Sequence, residues 1–286
     1  MKNKNHGILF CLPTLILLSM FFIYPLINVL IMSFQNWIVL GTPQFIGFKN
    51  YIKTFQDKEF WQVMSNTIIY CLIVTPMIFI PALFFAVILK KTNKKNAILR
   101  TSLFIPCAIS LVASSYIWNW ILNDTYGILN FVLFKLGLIN EGINWLGTTW
   151  SARFMISLSV AWKTMGFSMI LILAGLSSIA TSIYEASEID GSSKFRTFFS
   201  ITLPLVKPTL MLALVLSIAG SFKGYDQFVI MTGGGPMRTT EPIIMYISKV
   251  AFDHYEMGQS AAISVIFLII LMLISYYQIK LGDYND

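Results

Sequence analysis

Long apolar runs dominate the chain, and short polar stretches separate them. Six runs are candidate spans: about 8–33, 64–89, 102–122, 152–179, 206–231 and 259–281. A spanning helix needs about 20 mostly apolar residues, whereas barrel strands alternate apolar and polar positions. The pattern predicts an all-α polytopic membrane protein with six transmembrane helices in a single domain over 1–286. Pro13, Pro25, Pro76, Pro81 and Pro106 fall inside spans. Prolines are tolerated there when neighbours satisfy the freed carbonyls, so kinked helices around a pathway are expected. Lys2 and Lys4 precede the first run, which is too long for a signal-peptide core. It reads as a retained first helix.

Charge then sets orientation. Lys90, Lys91, Lys94, Lys95 and Arg100 crowd one short connection, which should be cytoplasmic. Both termini and residues 180–205 then lie inside, although Lys49, Lys53 and Lys58 fall outside. Composition agrees with a membrane protein: 56% of residues are hydrophobic and 12% charged, against roughly 25% charged in soluble domains. The net charge of +7 follows from membrane topology, and no nucleic-acid-reading motif accompanies it. Cys11, Cys71 and Cys107 lack metal-ligand spacing and read as small apolar residues. His6 and His254 lie near opposite ends, and no nucleophilic, metal or paired-carboxylate constellation appears. The chain does not read as an enzyme.

The polar segment between spans 4 and 5 carries the most information. Ser182 and Glu185 are spaced as a capping box, and Asp190-Gly191 should break the helix that follows. Ser192 or Ser193 can cap a second helix carrying Phe195 and Phe198, with Leu203-Pro204 ending it. Two capped helices in an amphipathic connection are the plain reading. Glu185-Ala186-Ser187, Gly191 and Ile201-Thr202-Leu203-Pro204 also resemble the "EAA" loop of ATP-binding-cassette importer permeases. That resemblance implies a cytoplasmic coupling helix within 182–199 that docks on a separate ATPase subunit. Glu185 would pair with a basic group there, Ala186, Ser187, Asp190 and Gly191 would sit close to it, and Phe195 and Phe198 would be apolar anchors.

Further stretches resemble carbohydrate-importer permeases of the oligosaccharide and glycerol-phosphate subgroup, like the maltose permease member of a heterodimeric pair. They are Arg100-Thr101, Phe104-Ile105-Pro106, Trp118, Trp162-Lys163, Gly166-Phe167, Leu173-Ala174-Gly175-Leu176, Tyr225-Asp226 and Thr232-Gly233-Gly234-Gly235-Pro236. The resemblance implies a second permease subunit, two ATPase subunits that carry the ATP and magnesium, and an extracellular or periplasmic binding protein. It implies a multi-pass location in a bacterial or archaeal cell membrane, in contact with lipid, and no cofactor in this chain. The Gly-rich segment lacks the Gly-Lys-Ser/Thr ending of a phosphate-binding loop. A turn is the plain reading, and the resemblance implies an external loop meeting the binding protein or shaping a gate.

Ionisable residues within spans tend to face a wet cavity or the bundle interior. Lys163, Lys223 and Asp226 qualify, and the last two share a helix face. Sugar sites combine aromatic faces with a few polar groups. Trp118, Asn119, Trp162, Tyr225, Asp226 and Gln227 are the candidates, although interfacial anchoring is the simpler role for each aromatic. Gly220 and Gly224 form a small-xxx-small pair suited to helix packing. The alternatives are a secondary transporter or channel, against which no repeat and one clear intramembrane carboxylate count, and an importer of glycerol phosphate rather than sugar.

Overall fold

The computed structural model describes residues 4–37, 42–222 and 224–282. Lys223 lies outside them, and so does its expected pairing with Asp226. The chain forms two compact units: Met1–Trp61 with Tyr246–Ile270, and Gln62–Met245 with Leu271–Asp286.

The first span is α1 (Lys4–Leu18), a π-helical turn (Ser19–Ile23) and α2 (Tyr24–Ser33), continuing through Pro13 and Pro25. A short antiparallel pair, β1 (Gln35–Asn36) and β2 (Gln44–Phe45), follows. It is a local addition to the expected all-helical chain. α3 (Lys49–Gln56) packs against it through Asn50, whose Nδ2 donates to the carbonyls of Ser33 and Gln35, both at 2.9 Å.

α4 (Lys58–Ile88) runs through Pro76 and Pro81. The third expected span is broken: α5 (Lys94–Ala108) and α6 (Leu111–Ile121) meet at 102°. α7 (Ile128–Lys135) is a short helix between the third and fourth expected spans. α8 (Thr149–Ser177) is the central helix, with 56% of its apolar window buried. α9 (Thr181–Ile189) and α10 (Lys194–Thr197) form the polar hairpin. α10 does not end at Leu203-Pro204. It passes through a π-helical turn (Phe198–Thr202) into α11 (Leu203–Ser221). Pro204 directly follows the π-helical turn, and the helix continues through it as the other spans continue through their prolines. The fifth expected span therefore ends near 221, and its tail forms the separate α12 (Tyr225–Met231). α13 (Ile243–Phe252) and α14 (Met257–Gly282) complete the chain. Among the described residues, five helices suit a membrane crossing, or six if the bent pair is one span.

Close packing in lipid depends on small residues more than on apolar burial. The expected Gly220–Gly224 pair does not supply it: a Cβ on Gly220 would meet open space, and Gly224 lies in the break before α12. The close contacts fall on α8. A Cβ on Gly166 would lie 2.1 Å from the Leu103 carbonyl oxygen of α5, and one on Gly175 would lie 2.6 Å from Thr209 Oγ1 of α11. Two apolar clusters lie along α8. One joins Tyr70, Val74, Ile156, Val160 and Phe228, the other Ala82, Ala86, Met169, Ile172 and Leu210. Large side chains on outer faces are bare, such as Leu72 at 70% and Ile80 at 66% exposure. A bilayer solvates such faces, and water does not.

Candidate functional site

Three sets of residues hold the candidate chemistry. The first is the 180–202 hairpin. α9 begins at Thr181 after Ala180, two residues earlier than the pattern suggests. Ser182 therefore lies inside the first turn and makes no cap bond, so the expected capping box does not form. The helix ends as foreseen. Gly191 has φ +69°, its N–H donates to Glu188 O, and Ser192 N–H donates to Ser187 O, both at 3.0 Å. This is the double bond of a glycine C-cap. Ser193 caps α10 by accepting from Arg196 N–H at 3.3 Å.

The hairpin has an inner and an outer face. Ser187 is buried and its hydroxyl bonds that of Thr197 at 2.9 Å, tying the two arms together. It lies inside the hairpin and not on its exposed surface. Phe198 is half-buried over a cleft, so it is not the outward anchor expected. Glu185, Ala186 and Asp190 are exposed, and Glu185 has no hydrogen-bond or ion-pair partner among the described residues. Apolar side chains project from this polar surface, foremost Ile189 at 87% exposure and Phe195 at 75%, whose ring lies 4.6 Å from that of Phe199 at a 48° tilt. Sequence reasoning missed Ile189. Its signal was an aliphatic residue next to the helix-ending Asp-Gly in a polar hairpin.

The second set surrounds the break between α5 and α6. A helix that ends within a span leaves carbonyls without partners. Lys163 supplies donors: its Nζ donates to Ile109 O at 2.5 Å and Cys107 O at 3.2 Å, while Cys107 Sγ donates to Lys163 O at 3.0 Å. Ser110 caps the start of α6 through Ala113 N–H at 3.1 Å. Lys163 thus turns inward rather than snorkelling. It borders a cavity of about 320 Å3 that also presents Thr164, Ser168, Ser217 and Gly220. Trp118 and Trp162 come together edge to face at 6.0 Å. Asn119 ties α6 to α12 by donating to Ile230 O at 3.3 Å. Gln227 is fully buried. Its Nε2 donates to Ser159 Oγ at 3.3 Å, and its Oε1 has no partner. Tyr225 and Asp226 are half-buried at the start of α12.

The third set is the 232–241 loop. Gly233 and Gly234 have φ of +59° and +87°, which glycine adopts without penalty. The loop is braced from within: Thr232 and Thr240 hydroxyls bond at 2.8 Å, and Thr240 Oγ1 donates to Gly235 O at 2.6 Å. Pro236 O accepts from Thr239 Oγ1 at 2.7 Å. The loop is also held from below. Arg153 of α8 donates to Asn66 Oδ1 at 2.8 Å and Thr239 O at 3.1 Å, and Asn66 Nδ2 donates to Arg238 O and Glu241 O at 2.9 and 3.2 Å. The Arg238 Nε–Glu241 bond of 2.5 Å closes the base. Met237 stands at the tip, 85% exposed. Sequence reasoning missed Arg153 and Asn66. The only signal was polarity near the starts of two spans. We predict that Arg153→Met removes this support at a cost of roughly 1.5–3 kcal/mol, the range for hydrogen bonds to a charged group. Faster protease cleavage within 232–241, with the rest of the fold retained, would register it.

Residues 51–280 match the family described as "Binding-protein-dependent transport system inner membrane component". The chain belongs to that family. This permease is 35% identical to the sulfoquinovosyl glycerol transport system permease protein of Agrobacterium fabrum, covering 99% of this chain and 92% of the relative. It is 34% identical to the trehalose/maltose transport system permease protein of Thermococcus litoralis, covering 99% and 96%. In structure it is similar to a chain of a bacterial alginate ABC transporter crystallised with an alginate pentasaccharide-bound periplasmic protein. The TM-score is 0.80 at 23% identity, over 96% of this chain and 94% of that one. The fold of the permease is thus that of ABC importer membrane subunits, and its family agrees with the transport role that the 185–204 motif led us to expect.

Proposed function

We propose that the permease is a pore-forming subunit of an ATP-driven importer of carbohydrate, in the oligosaccharide class. The observation that carries the reading is the α9–α10 hairpin. Its outer face offers an unpaired carboxylate, Glu185, flanked by bare Ile189 and Phe195. An exposed charge between apolar anchors is the composition of a docking surface. Its partner is a separate ATPase subunit holding ATP and magnesium, and α9 is the coupling helix. The Lys90–Arg100 cluster and the hairpin then face the cytoplasm, as do both termini. The 232–241 loop faces outside, towards a binding protein. A second permease subunit completes the pathway in a bacterial or archaeal cell membrane. The names of the sugar-transport relatives support the cargo class.

The solute path runs past the cavity beside Lys163 and the Trp118–Trp162 pair, with Asn119, Tyr225, Asp226 and Gln227 nearby on the same unit. Rings supply faces for sugar CH groups, and the half-buried Asp226 supplies acceptors. Lys163 spends its donors on backbone carbonyls, which favours a neutral solute over glycerol phosphate. The test is uptake of labelled trehalose, maltose and maltotriose into proteoliposomes. Uptake should require the ATPase, the second permease and ATP. Transport by this chain alone, without ATP, overturns the reading in favour of a secondary transporter.

A further inference from the structure

We infer that Lys90 and Tyr184 form a strut through which α9 moves the membrane helices, an inference that rests on the coupling-helix reading above. Lys90 Nζ lies 4.0 Å from the centroid of the Tyr184 ring, well within the roughly 6 Å reach of a cation–π contact. Tyr184 sits on the inner side of α9, next in sequence to the outward Glu185. Its hydroxyl accepts from Thr202 Oγ1 at 3.3 Å, and Thr202 is buried at the root of α11.

Lys90 is itself held. Arg100 of α5 donates to the carbonyls of Leu89, Lys90 and Lys91, the last two at 3.2 Å. These are the acceptors left over at the end of α4. One guanidinium therefore joins α5 to the end of α4 and fixes the residue that carries the cation. The path reads α5, α4, Lys90, Tyr184, Thr202, α11, with α9 in the middle.

The space beneath α9 makes this path important. A cleft of about 300 Å3 lies there, bordered by Val87, Leu176, Glu188 and Thr197 as well as the strut itself. A helix resting over a cleft cannot transmit force through flush apolar packing. The cation–ring contact bridges the gap, and it resists both approach and withdrawal.

The native Cys107 offers a reporter, since it lines the cavity beside Lys163. In the complete transporter with Cys11→Ser and Cys71→Ser, methanethiosulfonate ethylammonium labels Cys107 in nucleotide-free and vanadate-trapped states. The rates should differ between the two states. Lys90→Met and Tyr184→Leu should each shrink that difference by about fivefold. Bound ATPase should stay unchanged, and the double variant should be no worse than the worse single one. Lys90→Arg, which keeps the cation and leaves the Tyr184–Thr202 link intact, should behave as the parent. Full state dependence in both disruptive variants, or additive losses in the double variant, overturns the strut. A different result separates the underlying reading: if Glu185→Ala leaves ATPase binding intact, or the parent shows no state dependence, the coupling-helix assignment fails and the strut with it.

Discussion

Replacing Glu185 with alanine should abolish most transport while leaving membrane insertion and fold unchanged. Alanine is the strongest helix former, so α9 loses nothing intrinsic. The absence of the expected capping box removes the competing explanation, because Glu185 makes no bond to its own helix start. On the docking proposed above, the variant loses one half of a charge pair. Truncating such a pair costs about 2–5 kcal/mol, and each 1.4 kcal/mol is about a factor of ten. Co-purification of the ATPase subunit and ATP-dependent uptake should both fall by at least about tenfold. Glu185→Gln, which keeps the shape, should fall nearly as far. Wild-type uptake in Glu185→Ala would reject the docking role of the hairpin. The exposed apolar neighbours predict a second, smaller loss: Ile189→Ala removes packing area but no charge.

The spans were legible because each is a continuous apolar run, and that signal survives without tertiary knowledge. Their interruptions were not. The run over 102–122 has no polar gap to mark the 102° bend. The bend is tolerated because Lys163, more than fifty positions away, supplies the donors that the broken helix needs. The break after Ser221 likewise leaves hydropathy unchanged. Local chemistry was readable where the chain satisfies itself, as at Gly191 and Ser193. It misled where a helix start depends on what precedes it: beginning at Thr181 rather than after Ser182 is a shift of two residues, and it cancels the box. Glycines show the same division. Gly220 matched a packing motif yet faces open space, whereas Gly166 and Gly175 take the close approaches because α8 is enclosed by α5 and α11. The external-loop motif was visible, but its foundation on Arg153 and Asn66 joins three separated parts of the sequence.

Lys163→Met should destabilise the permease itself, and this outcome separates a structural cation from one that meets the solute. The variant removes the Lys163 donors from the carbonyls of Cys107 and Ile109. Each unsatisfied buried group costs about 1–3 kcal/mol. Two such losses should lower the thermal midpoint by roughly 5 °C or more, using the soluble-protein scale. Lys163→Arg retains cation and donors and should recover most of that stability. If the side chain instead serves mainly to contact solute, Lys163→Met will melt like the parent while uptake shows a raised KM. The bent third span makes the first outcome the expected one. A break of 102° cannot persist in lipid with bare acceptors, and the ammonium group is what reaches them.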